Sequence, residues 1–443
     1  MSEDGFGLRL KRYAEVGGAV GGLAAKLAGQ RYLGLGLDKS KHAFDLKSAL
    51  GGLKGPLMKV AQILATIPDA LPREYAEELA QLQSNAPPMG WPFVRRRMAS
   101  ELGPDWQSRY RDFPQTAIAA ASLGQVHKAT LHDGRTVAAK LQYADMAAAV
   151  EADLQQLKII FQIYGRYDPA IKTEEIFREI SDRLREELDY EREGRHLDYY
   201  RLMLDGQAGV QAPEKIPELS TKRLLTMTWL DGAPLMSIKE KSQEERDIVA
   251  RNMFHAWYAP FYGYATIHGD PHMGNYSVRP DGSLNLLDFG CIRIFRPDFV
   301  GGVIDLYHAL VSNDMELAVH AYRTWGFTDL RKDTIEVLNQ WAAFLYKPLM
   351  HDQVQAIAET HNGAEGRKVV EQVHAELRKI GGVTPPREFV FMDRAAIGLG
   401  SVFTHLKAQL NWHQMFHELI ADFSVEKLAA RQSAALAQVG LEN

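Results

Sequence analysis

The stretch from His268 to Gly290, "HGDPHMGNYSVRPDGSLNLLDFG", constrains this chain more than any other. It holds three oxygen-bearing side chains at fixed intervals: Asn275 lies 5 residues after Asp270, and Asp288 lies 13 after Asn275. Between the last two, "YSV" and "LNLL" are short β-prone runs separated by "RPDG", which lets the chain reverse tightly, so a hairpin is expected. Its open end brings Asn275 and Asp288 together. A carboxamide beside a carboxylate suits a hard cation such as Mg2+, which takes oxygen ligands and keeps part of its shell for water and phosphate. Asp270, on the preceding loop, is placed to face a substrate hydroxyl or water. His268 and His272 alternate with it, but H-x-D-x-H without further ligands is a weak zinc signal; these rings are expected to shape the loop by hydrogen bonds.

Length and charge bound the remaining choices. With 443 residues and 46% hydrophobic content, the chain can bury at least one large core, and its length suggests two or three units. A formal net charge of −5 argues against a nucleic-acid binder. The single cysteine, Cys291, excludes an intrachain disulfide and a cysteine-rich zinc site, which fits a reducing compartment. No apolar run approaches the roughly 20 residues of a spanning helix. In the first 30 residues, Glu15 and Lys26 interrupt what would be the apolar core of a secretory signal. A cytoplasmic protein is expected, with nothing but small-residue packing or peripheral contact left to explain the Gly/Ala-rich start.

Along the chain, a Gly/Ala-rich and then helical part, with "PREYAEELAQLQ" a capped amphipathic segment, breaks at "SNAPPM". "WPFVRRRMASELG" reads as a further helix. The texture then changes to short alternating runs around Asp133 and Gly134, a second hairpin that reaches Lys140. Helical sequence follows from about Ala147 to Leu204, then the strand-like "KRLLTMTWLDG", then mostly helix. Protein kinases present the same order of parts: a small-residue loop, a strand lysine, a helix glutamate, a loop Asp and Asn, and a metal-binding Asp.

The motifs "KVAQILATIPDALP", "AAASLGQVHKA", "VAAKLQ", "EELDYEREG", "HGDPHMGN" and "LLDFG" together resemble the UbiB (aarF) family of atypical kinases. That resemblance implies an α+β, two-lobed protein-kinase-like fold: a helical extension over residues 1–110, an N-lobe over 111–232 with a helical insert, and a mostly helical C-lobe over 233–443. It implies ATP and Mg2+ as cofactors. Lys140 would hold phosphates, oriented by Glu193; Asp270 matches the catalytic aspartate; Asn275 and Asp288 would bind the metal. The alanine-rich loop Ala119, Ala120, Ala121 and Ser122 stands where kinases have a glycine-rich one, and the backbone of Trp229 and Leu230 would meet adenine. In the extension, Lys59 and Gln62 match the family's KxGQ motif, with Lys59 expected to face Glu187 and Asp189. Ala61 occupies the glycine position, and Met273 a position often held by proline.

The resemblance also implies support of ubiquinone or related isoprenoid-lipid metabolism, with a lipid- or quinone-pathway partner and no nucleic acid. "YAEVGGAVGGLAAKLAG" either packs on the core or lies on the inner face of a membrane. Two other functions stay open beside an ATP-dependent enzyme: a small-molecule phosphotransferase of the aminoglycoside-kinase type, and a nucleotide-binding pseudokinase scaffold.

Overall fold

The computed structural model describes residues 89–120, 123–167, 173–328, 330–357, 372–373, 376 and 386–441. They fall into two compact units. One runs as far as Arg192 and takes in Ile216–Thr228; the other comprises Glu193–Lys215 and the chain from Trp229 onward.

In the first unit, the alternating runs on either side of Asp133-Gly134 form an antiparallel hairpin, β2 (Gly124–Thr130) with β3 (Thr136–Gln142). Gly134 turns the chain at a φ of +89°, a region costly for side-chain-bearing residues, and the Leu131 N–H donates to the Arg135 carbonyl to close the loop. β1 (Ala119–Ala120) adds to β2, and β5 (Leu224–Thr228) to β3, giving a four-stranded antiparallel sheet. Successive residues of a strand face opposite sides. Val137, Ala139 and Leu141 therefore share one face, where they pack with Val94 and Met98 of α1 (Trp91–Leu102) and with Trp106 and Tyr110. Phe113 closes this cluster edge-on to Trp106 and Tyr110, each 5.1 Å away between ring centroids.

The other face of β3 carries Ala138, Lys140 and Gln142. Three helices follow it: α2 (Met146–Tyr167), α3 (Thr173–Glu186) and α4 (Tyr190–Met203). The Gln142 amide donates to the Leu188 carbonyl at 3.1 Å, tying the strand to the turn before α4. Asp189 caps α4, its carboxylate accepting from the Arg192 N–H at 3.0 Å.

"LGQVH" is a packing device in this unit. A methyl on Gly124 would lie 2.5 Å from the Leu141 carbonyl oxygen and 2.9 Å from the Tyr190 hydroxyl, so no larger residue fits without moving backbone. Gln125 and His127 are both buried on one face, 2.8 Å apart between the amide nitrogen and Nε2. His127 Nδ1 lies 3.0 Å from the Pro114 carbonyl, and its ring stacks on Phe113. A carbonyl can only accept, so Nδ1 carries the ring proton and Nε2 accepts from Gln125.

The second unit is built around α5 (Gln243–Tyr264), which starts at a reciprocal Ser242–Glu245 capping box and ends at Ala265 in the left-handed region, φ +49°. That turn delivers the chain into β7 (Thr266–His268), paired antiparallel with β10 (Ile292–Ile294). The expected "RPDG" hairpin forms from β8 (Tyr276–Val278) and β9 (Leu284–Leu286), with Gly282 at φ +80° in the turn. β6 (Ala233–Pro234) and β4 (Val210–Gln211) flank it in the order β4-β9-β8-β6, β4 running parallel to β9. Behind stand α6 (Pro297–Ser312), α7 (Met315–Trp325), α8 (Lys332–Tyr346), α9 (Arg387–Leu406), α10 (Trp412–Ile420) and α11 (Val425–Val439). Gln432 of α11 donates at 2.9 Å to the carbonyls of both Tyr264 and Phe295, tying the two strands of the β7–β10 ribbon together at the end away from His268. Among the described residues no helix is long and apolar enough to cross a membrane.

Burial lowers the His127 pKa from its ordinary value of 6.5. Above that value the ring is neutral whether the unit is folded or not, and the full stability is present. As pH falls through 6.5, the unfolded chain takes up a proton that the folded ring resists, so stability falls until the folded pKa is reached. Chemical denaturation from about pH 7 to pH 5 should show this decline, and His127→Gln should reduce it. His255 and His417 are also lowered and add their own slope. The difference between variant and wild type therefore isolates His127; identical slopes would mean that it contributes nothing.

Candidate active site

Asp270, Asn275 and Asp288 lie in the second unit, and the structure joins them in one hydrogen-bonded network. The chain leaves β7 through Gly269, whose N–H donates to the Cys291 carbonyl at 2.7 Å. A methyl there would sit 2.6 Å from that same oxygen, which is why glycine precedes the aspartate. His268, fully buried, faces both loops: Nε2 is 2.7 Å from the Asp288 carbonyl, and Nδ1 accepts from the Asp270 N–H at 3.3 Å. Its proton is thus on Nε2.

Within the loop, the His272 N–H donates to Asp270 Oδ1 at 3.1 Å and the Gly274 N–H to His272 Nδ1 at 3.1 Å, shaping a single turn that ends on Asn275. The Asn275 side-chain amide donates to the Asp270 carbonyl at 3.4 Å, and the Leu287 N–H donates to the Asn275 carbonyl at 2.9 Å. Asp288 Oδ1 accepts from the Gly290 N–H at 3.0 Å. Phe289 is buried between His268 and Tyr200, and its carbonyl lies 3.2 Å from His196 Nδ1 on α4. The anchors are buried, while Asp270, Asn275 and Asp288 are themselves half-buried.

This donor set of two carboxylates and one amide, all oxygen and partly open, fits a hard divalent cation better than zinc. The negative field is visible on a neighbour: burial first, then the Asp270 carboxylate and more weakly that of Asp288, push the Tyr276 hydroxyl far above its ordinary range. Tyr276 therefore stays protonated. Among the described residues no group of three or more His, Cys, Asp or Glu side chains is arranged to hold a metal.

The first unit presents a second set. Lys140 on β3 is 9% exposed, with its ammonium 5.2 Å from the centroid of the Tyr190 ring. In register across the sheet it stands opposite Val126, which in turn stands opposite Ala119. Directly opposed residues share a face, so the exposed Ala119 lies on the Lys140 side two strands away, roughly 10 Å at ordinary strand spacing. Ala120 is the next residue of the same edge strand; Ala121 and Ser122 lie outside the described residues. Glu187 is half-buried in the turn before α4, where Asp189 is the cap. Glu193 of α4 is 3% exposed and belongs to the second unit. Trp229 and Leu230 open the second long segment of that unit, the Trp229 indole N–H donating to Asp231 at 2.7 Å. Lys59, Ala61 and Gln62 lie outside the described residues.

Three contributors escape a reading of the sequence. Tyr190 by Lys140, Tyr276 against the Asp270 carbonyl and Trp257 against the Tyr276 hydroxyl are ordinary aromatics in helical or strand context, and only their tertiary neighbours distinguish them.

A buried lysine on a small antiparallel sheet, with an Asp–Asn loop and a further Asp across a hairpin in a mostly helical unit, defines a kinase-like protein. Residues 81–322 match the family described as the ABC1 atypical kinase-like domain, and the chain belongs to that family. Atypical kinase coq-8, mitochondrial, of Caenorhabditis elegans is 26% identical over 444 residues, covering 93% of this chain and 57% of that protein. Atypical kinase COQ8, mitochondrial, of Saccharomyces cerevisiae is 29% identical, covering 56% of this chain and 50% of its own. AarF domain-containing protein kinase 1 of Mus musculus is 30% identical, covering 68% of this chain and 58% of its own. The chain thus spans about half the length of the curated relatives it matches. Among solved structures, the complex structure of Rv3197-erythromycin from Mycobacterium tuberculosis superposes with a TM-score of 0.59 at 26% identity, covering 86% of this chain and 96% of that one.

If the His268 ring holds the two loops, replacing it should cost more than its volume. His268→Phe leaves the Asp270 N–H and the Asp288 carbonyl without this partner, and an unfolding measurement should show a loss of about 2 kcal/mol or more. An unchanged denaturation midpoint would remove His268 from that role.

Proposed function

We propose that the protein is an ATP-dependent atypical kinase or ATPase that uses Mg2+ and supports ubiquinone or related isoprenoid-lipid metabolism. The observation that carries this reading is the joining of Asp270, Asn275 and Asp288 into one network in a chain of the ABC1 family. Asn275 and Asp288 would hold the cation through oxygen, and Lys140 would meet the α- and β-phosphates, paired with Glu193. Mg–ATP, when bound, supplies the transferable phosphoryl group and screens its charge. Asp270 would orient the acceptor hydroxyl or water, either as the base that takes its proton or by positioning it alone. Ala119, Ala120, Ala121 and Ser122 line the phosphates, and the backbone of Trp229 and Leu230 meets adenine. Lys59 and Gln62, with Glu187 and Asp189 as their counterparts, restrict access for a peptide acceptor.

A small-molecule acceptor is the second reading, favoured by the likeness to a protein whose structure was solved in complex with erythromycin. Phosphate release, against phosphate transfer to a metabolite extract, separates the two. The metal assignment has a direct test in thermal stability, because a ligand at 100 times its Kd stabilises a fold by about 2.7 kcal/mol. ATP with Mg2+ should raise the melting temperature of wild type and raise it much less in Asp288→Asn. Equal shifts in both would overturn the role given to Asp288.

A further inference from the structure

Tyr276 has a hydroxyl in a place where strand packing alone does not require one. The ring is buried at the first position of β8, 2% exposed, and the hydroxyl has two partners. The Trp257 indole N–H lies 3.1 Å from it, and the Asp270 carbonyl lies 3.2 Å away. An indole N–H can only donate, so the hydroxyl accepts from Trp257, and its one proton is left for the Asp270 carbonyl. Trp257 is itself fully buried on α5, so this orientation is built into the core of the unit.

The consequence falls on the Asp270 backbone. Its N–H is taken by His268 and its carbonyl by Tyr276, with the weaker Asn275 contact beside it. Anchoring both groups restrains φ and ψ together, and the following Pro271 narrows the choice of ψ further. The direction of the Asp270 side chain follows from that backbone.

We propose that Tyr276 is a positioning residue: its hydroxyl, oriented by Trp257, fixes the Asp270 peptide and so aims the carboxylate at the acceptor. The effect on turnover rests on the ATP-dependent reading above; the effect on the Asp270 peptide does not. Tyr276→Phe removes one oxygen and keeps the ring. A matched control exists in Tyr346, another buried tyrosine whose hydroxyl donates to a backbone carbonyl, that of Val303 at 2.8 Å, between helices α8 and α6.

Two measurements on the full chain decide the matter. In ATP hydrolysis with Mg2+, Tyr276→Phe should lower kcat about tenfold or more, as misaimed catalytic groups do, with KM for Mg–ATP within about twofold of wild type. Tyr346→Phe should lose stability and keep kcat. In protein labelled with 13C at the aspartate carbonyls, the Asp270 resonance should move upfield in Tyr276→Phe and stay in place in Tyr346→Phe. An unmoved Asp270 resonance overturns the proposal, as does an unchanged kcat in Tyr276→Phe. Absence of turnover in wild type overturns the ATP-dependent reading instead, and the carbonyl resonance still decides the positioning role.

Discussion

His268 joins two loops that reach it from opposite sides of a hairpin. One ring, buried at the end of β7, holds the N–H of Asp270 with one nitrogen and the carbonyl of Asp288 with the other. Each bond contributes on the order of 1 kcal/mol net, yet either group left buried and unmatched costs more than its bond contributes, so the arrangement is kept by the penalty for breaking it. The rest of the second unit serves this placement. α5 delivers the strand, Gly269 lets it pass close to Cys291, and Gln432 pins both strands of the ribbon at its far end. Charged groups at half-exposed positions can then keep defined directions without being buried themselves.

The first unit solves a different problem with the same economy. A lysine that is 9% exposed needs compensation for lost water, and the Tyr190 ring supplies part of it as an aromatic face beneath the ammonium. Tyr190 is also the first residue of a capped helix, and Gly124 has no side chain where the Tyr190 hydroxyl comes close. The surroundings of the lysine are therefore set by a helix start, a glycine and a strand register acting together. The aromatic cluster on the opposite face of β3 holds that register, since a slip by one residue would exchange Lys140 with the core row of Val137, Ala139 and Leu141.

Much of this was legible in the sequence where short-range chemistry decides the outcome. Both hairpins follow from Asp-Gly turns between alternating runs, and both form with glycine at positive φ. The helix over "WPFVRRRMASEL" and the buried one before the Asp270 loop also follow from local pattern. The intervals around Asn275 were readable because a hairpin converts sequence spacing into spatial proximity. The parallel pairing of β4 with β9 was not, because two residues at a loop end carry no periodic signal. Nor was the relay from Trp257 through Tyr276 to the Asp270 carbonyl, since both aromatics look like any core residues until α5 and β8 are seen side by side. Lys59 and Gln62 stand on motif alone, outside the described residues.

The tip of the β2–β3 hairpin has a further use. Asp133 and Gly134 are exposed, and Asp133 spends its carboxylate on Arg135 of its own turn rather than on the rest of the unit. Register in this hairpin is set by the buried rows, so the tip is free to change length. Lengthening such a loop costs only about 0.6 kcal/mol per doubling. Lys140 lies four residues beyond the first residue of β3, roughly 13 Å along the strand. The tip is thus a natural port for an inserted epitope or fluorophore, near enough to sense events around the lysine and far enough not to touch them.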